Sequence, residues 1–162
     1  MPTHAEKKSF PYTAEQMFDL VADVERYPEF LPWCLGCKIY KKDDEVVLAN
    51  LVIGYKLFRE WFGSKVFLNR PSSIRVEYVN GPLRYLSNTW DFSPDEKGGC
   101  TVDFYVDFEF KNALFQKMMG MFFNEIVRRM VASFEARAHA LYGPKKVKRP
   151  AAKPPQAKTK ES

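Results

Sequence analysis

Between Val102 and Lys111 apolar and polar residues alternate strictly: Val102, Phe104, Val106, Phe108 and Phe110 fall on one side, Asp103, Tyr105, Asp107, Glu109 and Lys111 on the other. A period of two belongs to a strand with one buried face, so this stretch predicts a half-buried antiparallel strand. From Asn112 to Tyr142 the period changes. Met118, Phe122, Ile126, Met130, Phe134 and Ala138 recur at every fourth position, with Phe115, Met119, Phe123 and Val127 beside them, a wide apolar stripe on one long helix. At about 1.5 Å per residue that helix spans roughly 40 Å, so it must lie across a sheet rather than merely cap one. Gly143-Pro144 ends it.

Toward the amino terminus, Ser9 to Tyr12 read as a short first strand. Thr13-Ala14-Glu15-Gln16 then has the spacing of a capping box, with Thr13 as N-cap and Gln16 reaching back. Met17, Leu20, Val21 and Val24 continue at helical spacing, and the helix should fail by Tyr27 because Pro28 follows. Lys38 to Lys111 read as a meander: two strands about the charged turn Lys42-Asp43-Asp44, a third through Phe62 and Val66, and a fourth through Ile74, Val76 and Tyr78. Asn80-Gly81-Pro82 is a turn, and the next strand carries Leu86, Asn88, Trp90 and Phe92 on one face. A curved antiparallel sheet wrapped around a single long helix, with the short helix closing one end, covers all of these apolar faces; the fold is α+β. A hollow between a curved sheet and a straight helix is geometrically natural.

Composition sharpens this picture. The 162 residues and 46% apolar content suit one domain, and fourteen Phe, eight Tyr and three Trp build its core from large rigid groups that can surround a cavity. The formal charge of +5 is uneven: residues 144–162, rich in Lys, Pro and Ala, carry +6, leaving −1 for residues 1–143. We therefore expect one domain over 1–143 and a disordered basic tail over 144–162, which is either a solubilising appendage or a contact for anionic lipid or RNA. The polar start lacks the apolar run of a secretory signal, no stretch approaches the ~18 apolar residues of a membrane span, and three cysteines suggest reduced thiols. The expected location is cytoplasmic, with a peripheral position at the inner membrane as its variant.

Candidates for chemistry are few. Cys34-Leu35-Gly36-Cys37 has the spacing of a zinc half-site or redox dithiol, but it runs into a predicted strand and the chain's remaining cysteine is Cys100, so no metal site is expected. His4 sits in the polar leader and His139 in the last turns of the long helix, where neither composes a catalytic triad. Phosphate loops of standard spacing are absent, and Arg70, Arg75 and Arg84 read as solvated. Glu60 and Asn88 fall on inward faces by alternation, although a bulge would exchange Glu60 with Arg59 or Trp61. Each needs a partner: a ligand head group, each other, the backbone or water. Met118, Met119, Met121 and Met130 suit a cavity that adapts to a flexible guest, or plain core, while Gly120 leaves room for a ligand or marks a bend.

"YTAEQMFDLVADVERYPEFLPWC", "VNGPLRYLSNTWDF" and "VDFEFKNALFQKMMGMFFNEIVRRMVASFEARAHALYG" together resemble the coenzyme Q-binding START-like family, whose bacterial branch is known as ribosome association toxin. The resemblance runs from about Lys8 to Gly143. It implies a helix-grip START fold with a lipid-sized cavity, ubiquinone as bound ligand with no cofactor required, and delivery of the quinone for respiratory electron transport without catalysis. On that reading Tyr27, Phe30, Leu31 and Trp33 form a lid over the mouth that dips into a bilayer, or else plug the core below. The expected ligand-binding set is these four with Glu60, Phe62, Asn88, Trp90, Phe104, Phe108, Met118, Phe122, Ile126 and Met130. Expected partners are an isoprenoid quinone, an anionic membrane surface in passing, and the ribosome, but not DNA. The rival functions are a ribosome-binding toxin and a polyketide cyclase or aromatase, since related folds host such reactions.

Overall fold

The computed structural model describes residues 3–55 and 58–143. Seven strands form one antiparallel sheet in the order β1-β7-β6-β5-β4-β3-β2: β1 (Thr3–Phe10), β2 (Cys34–Lys42), β3 (Val46–Tyr55), β4 (Phe58–Asn69), β5 (Ser73–Asn80), β6 (Leu83–Pro94) and β7 (Cys100–Phe110). Helix α1 (Ala14–Ala22) links β1 to a 3-10 turn over Val24–Glu29, and helix α2 (Ala113–Tyr142) follows β7 and lies against the concave face. Register shifts that leave an extra residue in β2, β5 and β6 help bend the sheet around it. The helix-grip fold expected from the sequence is the fold observed.

Local chemistry sets the ends of the elements. Thr13 and Gln16 form the capping box in both directions, at 3.0 and 2.9 Å. Asp43 Oδ1 accepts from the Glu45 and Val46 amides, closing the β2–β3 turn. Gly81 holds φ 139° and a Cβ there would come within 2.7 Å of Phe62 Cβ, so the β5–β6 turn requires glycine. Asn112 caps α2 through the Leu114 and Phe115 amides, and Gly143, at φ 83°, ends it. Gly120 lies exposed with nothing within 4 Å of its would-be Cβ, so it makes no room for a ligand.

Three boundaries depart from the sequence reading. The first strand begins at Thr3 rather than Ser9 and takes in the polar leader, pairing with β7 from Thr3↔Asp107 to Phe10↔Cys100. Its inward positions His4, Glu6 and Lys8 are polar, which hides the strand signal. His4 meets Glu6 at 2.9 Å and Lys8 meets Glu135 of α2 at 3.0 Å. After α1 ends at Ala22 the chain does not become an open loop: it winds into the 3-10 turn with Pro28 inside, a helix short enough to tolerate one missing donor. Strand β2 starts at Cys34, so the cysteine pair lies within a strand.

The core fills from the carboxyl-terminal half of α2 outward. Phe134 and Ala138 are buried there against α1 and the β1–β7–β6 side, with Met17, Phe18, Val21, Phe92, Val102 and Phe104. Tyr142 donates to the Gln16 carbonyl at 2.8 Å and Tyr12 to the Gly143 carbonyl at 3.1 Å, fastening the two helices. Among the described residues no helix is long and apolar enough to cross a membrane. The expected disordered tail, 144–162, lies outside the described residues.

Candidate functional site

The amino-terminal half of α2 stands off from the sheet. Phe123 and Val127 are buried, Met118, Met119, Phe122, Ile126 and Met130 are half-buried, and all of them face a void. That void is a cavity of about 230 Å³, not sealed from solvent, between α2 and strands β3 to β7. Inward residues of β7 (Phe104, Val106, Phe108, Phe110), β6 (Leu86, Asn88, Trp90) and β4 (Glu60, Phe62, Ser64, Val66) alternate along its wall. The unbroken series in β4 settles the ambiguity at Glu60: it faces the cavity, while Trp61 is 47% exposed on the opposite face.

Of the expected ligand-binding set, all but Phe30 and Leu31 line this cavity. Leu31 is 2% exposed in the core. Phe30 packs edge-on against Phe134 at 5.4 Å, with the Arg137 guanidinium 5.0 Å over its ring. Tyr27 joins the same cluster, 5.8 Å from Phe30 and 5.7 Å from Phe134, and its hydroxyl donates to the Val21 carbonyl. The Gly54 amide donates to the Trp33 carbonyl at 2.9 Å, tying the segment to β3. The double-proline segment, with Pro28 and Pro32, thus walls one end of the cavity with Tyr27 and Trp33 and sets Leu31 in the core. Sequence reasoning passed over Val21, Leu51, Ile53, Ile74, Val76 and Met119, which also line it. Strand alternation marks Leu51, Ile53, Ile74 and Val76, and helical spacing marks Val21 and Met119.

The cavity holds few polar groups. Asn88 Nδ2 donates to the Tyr105 carbonyl at 2.9 Å and Asn88 Oδ1 accepts from Trp90 Nε1 at 3.1 Å, so the side chain is satisfied within the sheet. The Ser64 hydroxyl donates to the Ala49 carbonyl at 3.2 Å. Among the described residues Glu60 has no hydrogen-bonded or ionic partner. It is a half-buried carboxylate in a wall that is otherwise mostly apolar.

Burial dominates the electrostatics of the three cysteines. Burial pushes the Cys34 thiol up to about 12, with Cys37 adding to it, and pushes Cys37 and Cys100 up to about 11. Protonated thiols are poor nucleophiles and poor ligands. Burial moves the Tyr27 hydroxyl in the same direction. Since each folded pKa lies above its unfolded value, these groups stabilise the fold fully below about pH 9 and lose that contribution as pH rises toward about 12. The urea midpoint should therefore fall across this alkaline window and fall less in a Cys34→Ala, Cys37→Ala, Cys100→Ala chain. A midpoint constant from pH 9 to about 12 would contradict the assignment.

Comparison with known proteins agrees with this architecture. Residues 10–135 match the family described as polyketide cyclase / dehydrase and lipid transport. The chain is 36% identical over 148 residues to "Coenzyme Q-binding protein COQ10 homolog B, mitochondrial" of Xenopus laevis, covering 89% of this chain but only 61% of that protein's length. It is 34% identical over 142 residues to "Ribosome association toxin RatA" of Escherichia coli K12, covering 88% of this chain and 90% of the other. The solution structure of the 18 kDa protein CC1736 from Caulobacter crescentus superposes with a TM-score of 0.71 at 36% identity, over 89% of this chain and all of that one. The match over most of the chain and the two relatives together establish that the chain belongs to the polyketide cyclase / dehydrase and lipid transport family.

Proposed function

We propose that the protein binds an isoprenoid quinone, ubiquinone by analogy with the Xenopus relative, and carries it for respiratory electron transport. The observation that supports this reading is the cavity: about 230 Å³ of space walled almost wholly by apolar side chains. Burying a methylene gives about 0.8 kcal/mol, so a few isoprene units supply on the order of 10 kcal/mol of gross transfer energy before entropic costs. Such a ligand needs few polar anchors. Among the described residues Glu60 is the one carboxylate in the wall, which supports binding rather than turnover.

Contact with an anionic bilayer, first assigned to the double-proline segment, fits the amino-terminal turns of α2 better. Leu114 and Met121 are 62% and 69% exposed there, Lys111 and Lys117 flank them, and the first turn holds no acidic residue. We assign the carrier to residues 1–143 and treat 144–162 as an appended basic tail acting peripherally at the membrane. A second reading, ribosome binding, is supported by the similarity to the Escherichia coli protein.

One preparation tests all of this. Full-length protein purified from a quinone-producing host should yield ubiquinone on solvent extraction and mass spectrometry, and should pellet with phosphatidylglycerol vesicles in a salt-sensitive way. Protein that carries no prenylated lipid contradicts the carrier reading. Cosedimentation with ribosomal subunits, lost on removing 144–162, would favour the second.

A further inference from the structure

The quinone-carrier reading, on which this step rests, leaves open which redox form of the ligand the wall prefers. A quinone ring presents only acceptors, its carbonyl and ether oxygens. Its reduced form, with two electrons and two protons added, presents two hydroxyl donors at the carbonyl positions. Most donors in the wall are already engaged: Trp90 with Asn88, Asn88 with Tyr105, and Ser64 with Ala49. Two polar side chains of the wall have no hydrogen-bonded partner among the described residues, the Trp33 indole and Glu60; the indole N–H can donate to a ring oxygen of either form, whereas a carboxylate accepts hydrogen bonds but donates none, so Glu60 is the group that separates the two forms. Its place is also defined. Glu60 pairs with Ile53 across β3–β4, and the next residue, Gly54, is bonded to the Trp33 carbonyl, so Glu60, Ile53, Gly54 and Trp33 mark one end of the cavity.

We infer that the cavity binds the hydroquinone form of its prenylated ligand in preference to the quinone, with a ring hydroxyl donating to the Glu60 carboxylate at the β3–β4 end. A quinone placed there sets carbonyl lone pairs against the carboxylate and displaces its water without replacing that hydrogen bond. Hydrogen bonds to charged groups are the stronger ones, but Glu60 is half-buried and water competes, so the expected preference is about tenfold. For a two-electron couple a tenfold preference raises the midpoint of the bound pair by about 30 mV.

The test is an anaerobic titration of the delipidated full chain, followed by tryptophan fluorescence, with ubiquinone bearing two isoprene units and with its quinol. A prenylated methoxyphenol and its methyl ether serve as a redox-inert pair. The intact protein should bind the quinol and the phenol about tenfold more tightly than their partners. Glu60→Gln, whose amide donates as well as accepts, should bring both ratios to within about twofold. Glu60→Leu, which removes the acceptor, should do the same. Equal affinities in the intact protein, or a preference that survives both substitutions, overturns the inference and leaves the carrier reading standing. Binding of neither redox form overturns both.

Discussion

Phe134→Ala is expected to lower the free energy of unfolding by about 3–5 kcal/mol, the largest loss from any single side chain of α2. Phe134 is 4% exposed and its ring lies 5.7 Å from Tyr27, 5.4 Å from Phe30 and 5.2 Å from Trp90. It therefore joins the helix to the 3-10 turn and to β6 at once. It also borders both the main cavity and a smaller one of about 30 Å³ beneath β1. Deleting it opens a passage between two existing voids, and the rigid rings around it cannot close that space, so the cavity contribution should be near its maximum. A urea titration should show a lower midpoint at an unchanged m-value. Met121→Ala, on the exposed face of the same helix, should change stability by less than about 0.5 kcal/mol. A Phe134→Ala chain as stable as Met121→Ala would mean that this aromatic cluster does not hold α2 in place.

The contrast between those two residues shows what the sequence could and could not convey. Local rules were legible: the Thr13–Gln16 capping box spans three residues, and β7 announces its buried face through its own alternation. Features decided by distant partners were not. Strand β1 stayed hidden because its inward Lys8 is matched by Glu135, which the sequence holds far away in α2. Asn88 resembles a ligand anchor until the β6–β7 register shows its amide facing the Tyr105 carbonyl. The apolar stripe of α2 was correct as a stripe, yet periodicity cannot tell that Phe123 is buried while its neighbour Phe122, on the same cavity wall, is only half-buried. Phe30 and Leu31 illustrate the same limit: two prolines fix where the chain bends but not which side the following side chains take.

The void itself gives the second large effect. Phe122→Trp and Met130→Trp each place a larger ring into the wall from the α2 side, in half-buried positions where the helix backbone need not move. In a close-packed core such enlargement costs about 1–3 kcal/mol through strain. Here the added atoms enter empty space, so stability should hold or rise, and the cost passes to whatever guest must share the volume. A penalty of that size on the guest is on the order of tenfold or more in affinity, and lipid recovered per protein should fall accordingly. Met130 borders both cavities, so its replacement can turn toward the smaller void, while Phe122 has only the larger one to fill. Phe122→Trp should therefore reduce occupancy more than Met130→Trp, and the double variant should retain almost none. Near-UV circular dichroism establishes that the fold is kept; unaltered lipid content in the folded double variant would place the guest elsewhere than beneath α2.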